Sequence, residues 1–68
     1  MDEEVLNTSL RKFLKVVGVT SQREIEKAIR AAVADGRLTG NEAVKAKIVL
    51  TIDQAGLSHT IDGTIELV

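Results

Sequence analysis

His59 is the single histidine of the 68 residues, which makes it the first candidate for a general base or a metal ligand. Neighbouring side chains of a strand point to opposite faces, so Ser58 and Asp62 both point away from it. A catalytic histidine needs a partner within hydrogen-bond reach, and a metal site needs several clustered ligands. The sequence offers only scattered carboxylates. We therefore expect a structural His59 and no metal or cofactor site.

Acidic residues occur in small groups that could serve acid–base catalysis. Asp2, Glu3 and Glu4 lie together, but they suit the positive end of a helix dipole better. Glu24 and Glu26 point to opposite flanks of a helix, so they do not form a buried pair. The five glycines lack the spacing of a phosphate-binding loop. We expect no catalytic residues, and the protein is predicted not to be an enzyme.

The composition excludes further kinds of site. Without cysteine, the chain has no disulfide, thiolate zinc site, iron–sulfur cluster or thiol nucleophile. Without Trp or Tyr, it has no aromatic platform for bases or sugars. Nine basic and ten acidic residues give a net charge of −1, which argues against bulk attraction to nucleic acid or anionic membranes. The hydrophobic content of 44% is that of a folded chain, and we expect a single small domain over residues 1–68.

The first residues bear on localisation. Residues 1–4 are acidic, whereas a secretory signal has positive charge followed by an apolar run. No apolar stretch approaches the roughly 18 residues that cross a bilayer. We therefore expect a cytoplasmic protein with no membrane partner.

The first third of the chain has helical periodicity. Asp2 can cap a helix, and Gly18 is a common kind of helix end. The first helix is therefore predicted over about residues 2–17. Its apolar residues recur at spacings of three and four, which indicates one buried stripe. These residues are Leu6, Leu10, Phe13, Leu14 and Val17.

A second helix is predicted over about residues 21–35. Ser21 and Glu24 have the spacing of a capping box, and Gly36 marks the end. The narrow apolar face of this helix contains Ile25, Ala28, Ile29, Ala32 and Val33.

The last third switches to alternation with period two. Two strands are predicted within residues 45–67, around a loop at residues 54–57. Pairing Asp53 with Ser58 sets polar against polar residues on the outer face and apolar against apolar residues inside. We therefore expect an antiparallel β-hairpin in this register.

The expected fold class is α+β, with two N-terminal helices packed on the C-terminal hairpin. Residues 36–44 form a connector, within which residues 39–42 could cap one short helical turn. A lone hairpin has two open edges. Two solutions remain open: residues 37–40 add a short third strand, or two copies of the chain pair into a larger sheet.

A basic stripe, defined as Arg23, Lys27 and Arg30, follows one face of the second predicted helix. Two helices joined by a short turn suggest a helix-turn-helix with this stripe in a DNA groove. The detailed pattern argues against that motif, because Glu24 and Lys27 stand where it buries apolar residues. Glu24 and Glu26 would also face phosphates. We interpret the stripe as a solvated face, and a DNA-binding accessory protein is the alternative function.

Val49 and Val68 are predicted to lie on the otherwise polar outer face of the hairpin. Exposed apolar residues beside open strand edges are where a protein partner or a second copy would bind. The leading hypothesis is a non-enzymatic protein–protein interaction module, alone or as a homodimer. Its candidate partner-binding residues are Arg23, Lys27, Arg30, Val49 and Val68.

The run RKFLKVVGVTSQREIE at residues 11–26 resembles a small family of short bacterial proteins of unknown function. Residues 35–38, 40–43 and 59–63 fit the same resemblance, which covers nearly the whole chain. It implies a free-standing, cytoplasmic, single-domain protein, and it implies no activity, ligand or catalytic residue.

Overall fold

The structure, a computed structural model, describes all 68 residues. It contains one helix, α1 (Glu3–Ala34), followed by two antiparallel strands, β1 (Ala43–Ile52) and β2 (Leu57–Glu66). The contacts divide the chain into two compact units, Met1–Arg37 and Leu38–Val68. The α+β class is confirmed, whereas the prediction of two helices is wrong.

The start of α1 follows the sequence prediction. The Asp2 carboxylate accepts hydrogen bonds from the backbone N–H groups of Glu4, at 2.9 Å, and Val5, at 3.2 Å. These bonds satisfy two amides that have no partner inside the helix. Glu3 and Glu4 place negative charge in the first turn, where the helix dipole favours it.

The helix continues through Gly18, where the sequence predicted an end. Glycine costs about 1 kcal/mol relative to alanine inside a helix, but a break would create two new helix ends, each with unpaired backbone groups. The capping box at Ser21 does not form, because Ser21 lies inside the helix. Glu24 instead places its carboxylate 3.6 Å from the ammonium of Lys27.

The end of α1 confirms the role predicted for Gly36. The helix stops at Ala34, with Asp35 as the C-cap, and Gly36 takes the left-handed conformation at φ 88°. The Gly36 N–H donates to the carbonyl of Val33 at 3.3 Å, which satisfies one of the last helical acceptors.

A single apolar stripe runs along the whole helix, because the two predicted stripes join. Half-buried Ser21 bridges Val17 and Ile25 at spacings of four residues. No helix of the structure combines the length and the apolar character needed to cross a membrane.

The hairpin pairs its strands in a register that differs by two residues from the predicted one. Ser58 lies opposite Thr51 rather than Asp53, and Ile52 lies opposite Leu57. The reason is the turn, in which Asp53–Ala55 forms a 3₁₀ turn that ends at Gly56 with φ 63°. Asp53 is thereby removed from the ladder.

The two-residue shift keeps every side chain on its predicted face, because strands alternate with period two. One face is polar and pairs Lys47 with Asp62 and Lys45 with Thr64. The other, here called the hairpin apolar face, carries most of the apolar residues: Val44, Ala46, Ile48, Leu50, Ile52, Leu57, Ile61 and Ile65.

Neither structure suggested for the connector forms. The sheet has two strands, so residues 37–40 add no third strand. Residues 39–42 form no helical turn either. Their amides are satisfied by a side chain instead, that of Glu42.

Candidate functional site

The basic stripe lies on one continuous helix with its neighbouring acids. The ammonium of Lys27 lies 3.6 Å from the carboxylate of Glu24, and the guanidinium of Arg30 lies 3.3 Å from that of Glu26. Arg23 has no ion pair. Two of the three cations therefore face an acid within one helical turn, which weakens the positive potential of the stripe.

Glu26 is the most strongly held of these acids. Its carboxylate accepts a hydrogen bond from the Gln22 amide at 3.0 Å and a second from Arg30 at 3.3 Å. These contacts, the Gln22 bond first, lower the pKa of Glu26 below its ordinary value. The lowered pKa favours the charged carboxylate, which would repel a phosphate group beside the stripe.

Of the two valines predicted on the outer face, the structure places one there. Val49 is exposed on the polar face, opposite Thr60. Val68 is exposed but lies beyond the end of β2, so it does not belong to the ladder. The last backbone hydrogen bond between the two strand ends runs from the Leu67 N–H to the Glu42 carbonyl at 3.3 Å, so the predicted place of Val68 on the outer face stays a prediction. The candidate residues thus belong to different units: the basic stripe to Met1–Arg37 and the two valines to Leu38–Val68.

An exposed apolar surface of α1 was assigned to the core by sequence reasoning. We call it the N-terminal stripe: Leu6, Leu10, Phe13 and Leu14. Its four side chains are 37% to 57% exposed. An amphipathic period shows which side of a helix is apolar but not whether another element covers it. That is why the sequence pattern alone could not identify this surface.

The hairpin apolar face is also partly in water. Ile48, Ile52, Leu57 and Ile61 are 37% to 53% exposed. A two-stranded sheet can bury this side only against another layer, because its own strands lie side by side. This face is the second apolar surface of the chain that is suited to a contact.

The connector contains a concave arrangement of backbone amides around the Glu42 carboxylate. The N–H groups of Thr39 and Gly40 each donate to it at 2.9 Å, and that of Asn41 donates at 3.1 Å. Successive amides of this kind make an anion site. The backbone hydrogen bond from Thr39, followed by that from Glu42 itself and with smaller contributions from the Thr39 side chain and the Gly40 amide, lowers the pKa of Glu42 to about 2. The site is thus filled by the chain's own carboxylate.

A second local pair lies just after α1. The Nε of Arg37 donates to both carboxylate oxygens of Asp35 at 2.9 Å, and its backbone N–H donates at 3.1 Å. These bonds, the side-chain bonds first, lower the pKa of Asp35. These bonds restrain the backbone conformation of the residues that follow α1.

His59 lies opposite Leu50 on the hairpin apolar face and is exposed. No group of three or more His, Cys, Asp or Glu side chains in the chain is arranged to hold a metal ion.

Comparison with known proteins gives one match. The model of a family described as a family of unknown function, DUF6494, matches residues 1–68. No curated protein and no solved structure matches the chain.

Proposed function

The chain belongs to DUF6494, a family of unknown function, and we propose that it is a non-enzymatic module that acts by protein–protein contact. One observation carries the proposal: Ala32, at 8% exposed, is the only buried residue among 68. Two ordered apolar surfaces, the N-terminal stripe and the hairpin apolar face, therefore remain in contact with water.

The energetics favour covering these surfaces. Full burial of a Leu, Ile or Phe side chain stabilises by about 1.5–3 kcal/mol relative to exposure. Each of the two surfaces contains four such residues that are more than a third exposed. Contiguous exposed apolar patches on a folded protein mark contact surfaces more often than isolated residues do.

Partner capture tests the proposal. A tagged chain is recovered from native lysate, with and without nuclease, and bound proteins are identified by mass spectrometry. The variant Ile61→Lys tests the hairpin apolar face. The variant Thr60→Lys, on the polar face, is its control, matched for charge and position. We expect a stoichiometric partner, or a second copy, that survives nuclease. A chain that is strictly monomeric and captures nothing would contradict the proposal.

DNA binding through the basic stripe is the second candidate, and it rests on Arg23, the one cation of the stripe without an ion pair. It predicts affinity that falls steeply with salt, because phosphate contacts release counterions. Reversing the charge of Arg23, Lys27 and Arg30 should then abolish binding and leave helicity unchanged. If the protein does not change the electrophoretic mobility of duplex DNA at low salt, this candidate is eliminated.

A further inference from the structure

We propose that the free edge of β1 binds an extended acidic segment of a partner protein, which adds to the hairpin as a third strand. This inference rests on the proposed interaction function and names the surface and the chemistry of the partner. The β1 edge is defined as the backbone N–H and C=O groups of the odd-numbered residues of β1: Ala43, Lys45, Lys47, Val49 and Thr51.

The hydrogen bonds of the hairpin show that these groups point outwards. The Leu67 N–H donates to the Glu42 carbonyl at 3.3 Å, and these two residues continue the register of the strands. In an antiparallel pair, residues that exchange hydrogen bonds alternate with residues whose N–H and C=O point away from the partner strand. The odd-numbered residues of β1 therefore direct their backbone groups away from β2. The sheet contains no third strand to bind them.

The β1 edge lacks the features that block strand addition in many proteins. Edge strands are commonly short, bulged or interrupted by proline. β1 has ten residues, all of them pair with β2 without a bulge, and the chain has no proline. β1 also has no glycine, whereas Gly63 lies within β2, where it weakens the strand. Of the two edges, that of β1 is therefore the better template.

Charge selects an acidic occupant for this edge. On the polar face, β1 carries Lys45 and Lys47 and no acid. Both lysines are exposed, and the three ion pairs of the chain involve other residues. Opposite charges on directly opposed residues stabilise neighbouring strands, and like charges destabilise them. An added strand with Asp or Glu opposite these lysines is therefore favoured, whereas the β1 edge of a second copy carries the same lysines and is disfavoured.

Alternation determines the remaining residues of the partner segment. Every second side chain of an added strand points to the other side of the sheet, where it extends the hairpin apolar face. Ile48 and Ile52 of β1 are 43% and 40% exposed there, so apolar side chains beside them would remove surface from water. The partner segment therefore alternates apolar residues with acids. β2 has this pattern itself, with Ile61 opposite Ile48 and Asp62 opposite Lys47.

A synthetic peptide with the sequence of β2, residues 57–66, is the probe. On the β1 edge it would use the amides of its even-numbered residues, the opposite set from those that β2 uses inside the hairpin. We expect the peptide to slow hydrogen exchange of the odd-numbered amides of β1 in the full chain. N-methylation of the peptide at Thr60 and Asp62 should abolish this protection, whereas N-methylation at Ile61 and Gly63 should leave it.

Proline variants of the full chain test the edge itself. Val49→Pro removes one outward N–H and no hydrogen bond of the hairpin, and strand positions of this kind tolerate proline. Thr60→Pro is the matched control, because the directly opposite residue makes the same change on the β2 edge. Val49→Pro should weaken peptide binding about 10-fold, through one lost hydrogen bond and a clash of the ring. Thr60→Pro should leave it unchanged. Circular dichroism verifies that both variants keep the hairpin.

A charge swap tests the choice of an acidic segment. Lys47→Glu should weaken peptide binding about 3- to 10-fold, because two acids then lie opposite each other. A peptide with Asp62→Lys should restore binding to this variant. Isothermal titration calorimetry measures both affinities. Restoration requires the two residues to be neighbours in the complex, so it also identifies the register.

The outcomes separate this inference from the proposed function. Unprotected β1 amides at millimolar peptide, equal effects of the two proline variants, or a failed charge swap overturns the β1 edge as a binding site. Loss of binding on N-methylation at Ile61 and Gly63 shows that the peptide replaces β2, which overturns it too. Assemblies that grow with the concentration of the chain alone would make β2 of a second copy the occupant and overturn a foreign segment.

Partner capture then decides the fate of the interaction function. If the β1 edge is overturned but the chain still captures a foreign protein, the interaction function stands without this surface. If the chain captures nothing as well, both fail.

Discussion

At the scale of single residues, the clearest electrostatic feature is Glu42. Three amides in a row converge on its carboxylate, and they favour the charged form. Hydrogen bonds, that of the Thr39 amide first, lower its pKa in the folded chain to about 2, below the ordinary 4.5. A depressed pKa stabilises the fold above the ordinary value, and this contribution is lost as the pH falls from about 4.5 towards 2.

We predict that Glu42→Gln loosens the connector at neutral pH. The amide side chain accepts hydrogen bonds less strongly than a carboxylate. Hydrogen exchange of the Thr39, Gly40 and Asn41 amides should accelerate, and the unaltered chain should show the same change when acidified through pH 4 to 2. Glu66→Gln is the control, because Glu66 makes no side-chain hydrogen bond. Equal exchange rates in the unaltered chain and Glu42→Gln would contradict the role of Glu42.

At the level of the helix, the backbone conformation of Gly18 distinguishes one continuous helix from two helices that break at this residue. In the structure, a Cβ built on Gly18 meets no atom within 4 Å, and its φ is not positive. We therefore predict that Gly18→Ala stabilises the chain by about 0.5–1 kcal/mol, since alanine forms helix better than glycine. Urea unfolding followed by circular dichroism measures this change.

Gly36→Ala is the control for that measurement, and its effect on stability should have the opposite sign. Gly36 has a φ of 88°, so a side chain there is strained even though its surroundings are open. This variant should destabilise the chain. If α1 ended at Gly18, as the sequence suggests, alanine would be strained at position 18 too. Destabilisation by both variants would thus contradict the continuous helix.

At the scale of the hairpin, paired cysteines can measure the register, because the chain has no cysteine of its own. Directly opposite residues lie within the Cα distance of a disulfide, whereas diagonal ones do not. We predict that Val49→Cys with Thr60→Cys oxidises readily. Val49→Cys with Asp62→Cys, which the sequence-based register pairs, should not. Peptide mass spectrometry after mild oxidation distinguishes them.

At the scale of the whole molecule, association and stability are expected to be coupled. A partner that binds only the folded chain raises its midpoint of unfolding by mass action. If the β1 edge binds an acidic strand, increasing concentrations of the peptide with the β2 sequence should raise the thermal midpoint, and Val49→Pro should reduce this dependence. The same midpoint at all peptide concentrations would contradict binding at the β1 edge.

The candidate surfaces were predicted only in part. The basic stripe could be located because helical spacing puts residues 23, 27 and 30 on one side. The N-terminal stripe was assigned to the core because periodicity identifies an apolar side without identifying what covers it. Glu42 was missed because its role depends on a loop conformation at Thr39–Asn41 that no local propensity specifies.

By itself, the sequence determined the features that depend on neighbouring residues: the Asp2 cap, the Gly36 end and the faces of both strands. Only the three-dimensional structure decided the continuity of α1 and the hairpin register. A glycine costs about 1 kcal/mol in a helix, which the hydrogen bonds of a continuous helix outweigh. Alternation with period two is unchanged by a two-residue shift, so the geometry of the turn had to choose between the registers.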